Sequence, residues 1–320
     1  MIMKIVMLDS YTTNPGDLSW AEFEALGDFV AYDYTPADKT VDRAKDADVV
    51  ITNKTLLPRQ VLEQLPECKY IGLLSTGFNV VDIDYAKERG IPVCNVPPYS
   101  TQAVAQLTFA LITEIYNNVA LHNKAVHDGE WTACRDFCFW KAPLINLQGK
   151  TIGLIGYGKI GSAVARIADA YEMKILCYVP SKKPQPDFTD FRFVELDELL
   201  KNSDIVSLHC PLTPQTEKMV NAEFISKMKS NAVLINTSRG ASVDEYALAD
   251  ALKSGRILAA GVDVLSTEPP KADSPLLGCD NCIITPHIAW AGYETRKRLV
   301  SIVYDNLKAF INGNIQNNVY

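Results

Sequence analysis

Two of the four histidines in this 320-residue chain stand at the ends of apolar runs. His209 closes DIVSLHC ahead of Pro211, and His287 closes CIITPH. An imidazole is the side chain best suited to give or take a proton near neutrality, and a strand end is where such a group meets a ligand. Arg239 directly follows the run VLINTS, and its planar fork suits a carboxylate. Glu268 follows GVDVLST and precedes Pro269 and Pro270, which keep the segment extended. Asp263 lies inside GVDV, and a carboxylate buried there needs a partner. Plainer readings exist for each: a core imidazole, a structural ion pair, a solvated loop glutamate. His122 and His127 fall in a long helical pattern and read as surface or packing residues.

A second signal lies in TIGLIGYGKIG, where Gly156, Gly158 and Gly161 fit G-x-G-x-x-G. The strand-like TIGLI precedes the motif and the helix-like KIGSAVARIADAY follows it. In that context Gly156 permits a tight turn, Gly158 lets backbone approach a pyrophosphate, and Gly161 lets helix and strand pack closely. Dinucleotide binding follows, the alternative being a tight turn with no ligand. The acid expected some 20 residues on, to hold the ribose hydroxyls, is missing. Val179 stands there instead, followed by Pro180, Ser181, Lys182 and Lys183. With no carboxylate to repel a 2′-phosphate, NADP(H) is tolerated or preferred beside NAD(H); the alternative is two solvated lysines. A nicotinamide carbonyl reduction also needs a proton donor beside the carbonyl oxygen and, for an acid substrate, a cation for its carboxylate. His287 or His209 and Arg239 are candidates for those tasks, and a nicotinamide carboxamide would partner Asp263.

These residues need a scaffold, and the chain supplies two series of Val- and Ile-rich strands alternating with helices. KIVMLD, FVAYDYT, DVVITN, YIGLLST and IPVCNV form the first; TIGLIG, KILCYV, DIVSLHC, AVLINTS, AAGVDV and CIITPH form the second. Such alternation predicts parallel sheets covered by helices on both faces. The fold class expected is α/β, with a Rossmann-type cofactor domain (100–290) inserted into a flavodoxin-like substrate domain (1–99 and 291–320). A helical pattern over 101–128 joins the two, and another runs from Tyr293 to about Phe310.

Composition narrows the class. Hydrophobic residues are 48%, charged residues 22% and the net charge is −7, which disfavours nucleic-acid partners. No apolar run reaches membrane-span length and no signal-peptide layout is seen, so a cytoplasmic, non-membrane protein is expected. Eight cysteines are scattered, and several lie in apolar strands, as reduced thiols do. CDNC (279–282) is a lone C-x-x-C without further ligands, and no metal is expected.

The ordered motifs STGFNVVD, VPPYSTQAVAQLTFALI, LQGKTIGLIGYGKIG, HCPLT, INTSRG, GVDV, EPP and TPHIAWAG cover nearly the whole chain. Together they resemble the D-isomer-specific 2-hydroxyacid dehydrogenases, nearest the glycerate dehydrogenase or hydroxypyruvate reductase branch. The resemblance implies a catalytic trio of Arg239, Glu268 and His287. Glu268 would orient the ring and favour its charged form. It implies cofactor contacts from Val104, the loop Gly156, Tyr157, Gly158, Lys159, Ile160 and Gly161, and Val179 to Lys182. Further cofactor contacts would come from His209, Cys210, Pro211, Thr216, Thr237, Ser238, Asp263 and Ala289. It implies substrate contacts from Asn53, Trp290 and the backbone of Ser75, Thr76 and Gly77, and a homodimer formed through the cofactor domains. Gln106 stands where many members carry glutamate. No extra cations lie near STGFN, which favours hydroxypyruvate or glyoxylate over a phosphorylated acid. D-lactate dehydrogenase and a dinucleotide-sensing corepressor module remain as rival readings.

Overall fold

Four-residue apolar runs with both faces buried have no polar side to turn to water, so they must lie inside a layered sheet. That is what the computed structural model shows for VVIT and YIGL, buried at every position. The structure describes residues 2–181 and 183–320, and the expected cofactor contact Lys182 lies outside them. The chain divides into two compact units, Met1–Ser100 with Ala291–Tyr320, and Thr101–Trp290.

The first unit holds β1 (Lys4–Met7), β2 (Asp28–Ala31), β3 (Val49–Thr52), β4 (Tyr70–Leu73) and β5 (Val93–Cys94). They form a sheet in the order β2-β1-β3-β4-β5, with every pair parallel. This is the flavodoxin-like order expected. The helix Tyr293–Ile311 covers the sheet with Leu299, Val300, Val303 and Leu307, all buried. Each such side chain contributes roughly 1.5–3 kcal/mol on burial. Phe310 adds a ring contact to Tyr70, centroids 4.8 Å apart.

The second unit holds β6 (Thr151–Ile155), β7 (Lys174–Tyr178), β8 (Phe191–Phe193), β9 (Ile205–Leu208), β10 (Val233–Asn236), β11 (Ala259–Val262) and β12 (Cys282–Ile284). Their order is β12-β11-β10-β9-β6-β7-β8, again all parallel. The chain winds one way from β6 to β8 and the other way from β9 to β12. The reversal lies between β6 and β9, where carboxyl ends part and leave a ligand crevice. The glycine loop leaves β6 there and His209 leaves β9.

One local expectation is corrected. The helical pattern over 101–128 is two helices, Thr101–Asn117 and Val119–His127. Asn118 between them has φ 50°, a left-handed backbone that asparagine tolerates better than most residues. The strand Phe191–Phe193 was not announced by the sequence, because FRF is only three residues long.

Candidate active site

The glycine loop fits a dinucleotide on the structure's own terms. Gly156 has φ 104°, and a Cβ on it would lie 2.5 Å from the His209 carbonyl oxygen. A Cβ on Gly161 would lie 2.3 Å from the Gly156 oxygen. Both positions therefore require glycine for packing within the fold. Gly158 differs, since among the described residues no atom beyond its chain neighbours lies within 4 Å of where its Cβ would be. Its bare backbone faces open space, and it is the N-cap of the helix Lys159–Ala170, whose first N–H groups meet no capping side chain among the described residues. Unpaired donors beside an open glycine are what a pyrophosphate needs.

Around this loop, the Tyr157 ring packs edge-on against Phe191 and Phe193, and burial raises its hydroxyl's pKa. Lys183 donates from Nζ to the Tyr157 carbonyl at 2.6 Å. Val179 and Ile160 pack against the same apolar cluster. Lys159, Pro180 and Ser181 are exposed.

Across the reversal, Ser207 Oγ and His209 Nε2 are 2.9 Å apart. Desolvation of the ring lowers the pKa of His209 to about 4, so it is neutral near pH 7. Of the two candidate proton donors, this one lacks the proton. Burial also raises the Cys210 thiol. Thr216 donates to the Pro211 carbonyl at 2.7 Å and closes that loop.

The ends of β10, β11 and β12 form a connected group. His287 Nδ1 lies 2.6 Å from Glu268 Oε2, and the two side chains keep 35% and 36% of their surface exposed. Glu268 Oε1 accepts from the Leu265 N–H at 3.0 Å, which fixes the carboxylate. The Glu268–Pro269 bond is cis. His287 has φ 55°, a left-handed backbone that costs a non-glycine residue on the order of 1–3 kcal/mol.

Asp263, 1% exposed, sustains that turn. Its Oδ1 accepts from Thr285 Oγ1 at 2.6 Å and from the Ile288 N–H at 2.8 Å. Its Oδ2 accepts from the Ala289 N–H at 2.9 Å. Sequence reasoning looked to a cofactor for the partner of Asp263; the chain itself supplies three.

Arg239 is exposed at the end of the β10 turn and donates to the Ser238 carbonyl at 2.7 Å. Asn236, 1% exposed, shapes this turn. Its Nδ2 donates to the Arg239 carbonyl at 2.9 Å, while its Oδ1 accepts from the N–H and the hydroxyl of Ser238. A Cβ on Gly240 would lie 1.9 Å from the Leu265 carbonyl carbon, so the Arg239 turn sits directly on the loop that carries Glu268. Thr237 is 3.1 Å from Thr108, hydroxyl to hydroxyl, and Thr108 donates to the Val104 carbonyl. That pair ties the start of the helix Thr101–Asn117 to the β10 turn. Trp290 is half-buried and makes no hydrogen bond with other described residues.

In the first unit, Asp9 at the end of β1 collects three backbone donors. They are the N–H groups of Asn53 (2.7 Å), Lys54 and Thr55 (2.8 Å). This fixes the loop after β3, with Asn53 buried in it. After β4, Ser75 donates to the Gly77 carbonyl at 2.6 Å and Asn95 donates to the Thr76 carbonyl at 2.7 Å.

Asp9, Asn95, Thr108 and Asn236 were missed from the sequence. A polar residue closing an apolar strand is a usable signal, and Asp9 and Asn236 both carry it.

Among the described residues, no group of three or more His, Cys, Asp or Glu side chains is placed to hold a metal ion. No helix among them is long and apolar enough to cross a membrane. Residues 109–289 match the family described as D-isomer specific 2-hydroxyacid dehydrogenase, NAD binding domain. The chain is 52% identical over 314 residues to a hydroxypyruvate reductase of Blautia hydrogenotrophica, covering 97% of this chain and 98% of that one. It is 37% identical over 321 residues to a glycerate dehydrogenase of Methylorubrum extorquens, covering 99% of each. An acyclic imino acid reductase solved with NADPH and D-Arg superposes with a TM-score of 0.84 at 32% identity, covering 99% of this chain and 100% of that one. The chain belongs to the D-isomer specific 2-hydroxyacid dehydrogenases, oxidoreductases that act on CH–OH groups with a nicotinamide dinucleotide.

Proposed function

We propose that this chain reduces hydroxypyruvate to D-glycerate, with glyoxylate as a second substrate, and that His287 is the proton donor. The observation that carries the reading is the 2.6 Å pairing of His287 Nδ1 with Glu268. A carboxylate can only accept, so Nδ1 bears the hydrogen of that bond and Nε2 is the nitrogen left to carry the transferable proton. A nicotinamide held by the glycine loop would supply hydride to the carbonyl carbon. Nε2 gives its proton to the carbonyl oxygen in reduction and takes it back in oxidation. Glu268 holds the ring and balances its positive charge in the cationic form. Arg239 holds the substrate carboxylate and polarises the carbonyl. The backbone N–H groups of Ser75 to Gly77 are further carboxylate donors.

The glycine loop would hold the pyrophosphate, and the apolar Val179 would stand beside the adenosine ribose. With no acid at that strand end, both NADPH and NADH are accepted. Exposed apolar residues in the second unit, among them Val119, Trp131, Phe137 and Trp140, support a homodimer through that unit.

The test is initial-rate assay of purified protein with NADH or NADPH and a panel of 2-oxo acids. Hydroxypyruvate should give the highest kcat/KM, and Val179→Asp should move the NADPH/NADH ratio towards NADH. Cofactor oxidation with none of the acids would overturn the reading.

A further inference from the structure

The loop Ser75–Gly77 contains no cation, so any grip it has on a carboxylate depends on where its N–H groups point. In a trans peptide the carbonyl and the next N–H are rigidly antiparallel. Fixing the Thr76 oxygen therefore fixes the Gly77 N–H, and fixing the Gly77 oxygen fixes the Phe78 N–H. The structure does both from the side opposite the donors. Asn95 Nδ2 donates to the Thr76 oxygen at 2.7 Å, and Ser75 Oγ donates to the Gly77 oxygen at 2.6 Å. Gly77 is exposed, and its N–H makes no hydrogen bond with another described residue.

Asn95 is itself held at both backbone ends. Its N–H donates to the Asn317 carbonyl at 3.0 Å. Its carbonyl accepts from Asn306 Nδ2 at 3.0 Å, and Asn306 Oδ1 accepts from Asn317 Nδ2 at 2.7 Å. Asn306 is 1% exposed, on the helix Tyr293–Ile311. Residues far down the chain thus set the direction of one amide after β4.

We propose that Asn95, braced by Asn306 and Asn317, is a positioning residue that aims the Gly77 N–H at the substrate carboxylate. This rests on the reading of Ser75–Gly77 as a carboxylate seat. The seat grips substrate and transition state alike, so its loss raises KM and spares kcat.

The experiment compares Asn95→Ala with the wild-type chain in hydroxypyruvate kinetics. It also titrates oxamate, an unreactive small carboxylate, by calorimetry with NADH bound. The expected result is a rise of about tenfold in KM and in the oxamate Kd, the worth of one oriented hydrogen bond. kcat should stay within about twofold and the NADH Kd should not move. Ser75→Ala, which removes the parallel restraint on the Gly77 oxygen, should move both constants the same way by less. Unchanged KM and oxamate Kd in Asn95→Ala would overturn the proposal. So would losses in kcat and NADH affinity equal to the loss in KM, since those mark general unfolding. A wild-type chain that turns over no 2-oxo acid and binds no oxamate would instead remove the reading beneath it.

Discussion

Glu268 and His287 meet at 2.6 Å although they stand 19 positions apart in the chain, with the strand β12 between them. The contact is made from both sides. Leu265 N–H holds the far oxygen of Glu268, and Asp263 holds the backbone beyond His287. Glu268→Gln keeps the shape and removes the charge. A hydrogen bond to a charged group contributes about 1.5–3 kcal/mol, so kcat should fall about 10- to 100-fold with NAD(P)H affinity unchanged. Steady-state rates and cofactor fluorescence titration read the two quantities. A kcat within twofold of wild type would remove Glu268 from the mechanism.

Asp263→Asn should act on the turn rather than on the proton. One oxygen becomes an NH2 group, which cannot accept from the Ile288 or Ala289 N–H it faces. The buried donor left unpaired costs about 1–3 kcal/mol, and the left-handed backbone at His287 loses its restraint. Urea unfolding should show that loss, together with a drop in kcat. Full stability and full turnover would mean that the turn holds itself.

Two glycines should respond in opposite ways. Gly240→Ala drives a Cβ into the Leu265 carbonyl, and overpacking of this kind costs about 1–3 kcal/mol or more. The thermal midpoint and the kcat should fall together. Gly158→Ala meets nothing within 4 Å among the described residues beyond its chain neighbours, so the melt should be unchanged while NAD(P)H binding weakens. A destabilised Gly158→Ala, or one with undiminished cofactor affinity, would contradict the pyrophosphate cradle.

His209 gives the molecule a dependence on pH. Desolvation lowers its pKa to about 4 in the folded chain, against an ordinary value of 6.5. Between those values the unfolded chain binds the extra proton, so stability falls as pH drops from about 6.5 towards 4. His209→Gln should flatten that part of a denaturation series. An identical slope in the variant would place the titrating group elsewhere.

Much of this was legible in the sequence because it depended on local spacing. The doubly wound order follows from strand–helix alternation, and the glycine motif marked the point where the sheet reverses. The residues that hold the site were harder to see. Asn236 and Asp9 act through turns whose shape is set only after neighbouring strands align. Asn95 works through Asn306 and Asn317, more than 200 positions away. The break at Asn118 was hidden because asparagine leaves helical periodicity intact on both sides. Asp263 was recognised as a buried carboxylate, but its partners lie across a strand pairing that spacing alone does not reveal.

The most direct measurement is the turnover of His287→Ala with hydroxypyruvate and NAD(P)H, beside its cofactor affinity. A general acid contributes about 10²–10⁴ in rate, so kcat should fall by that factor while NAD(P)H binds as in the wild type. Wild-type turnover in His287→Ala would contradict the account.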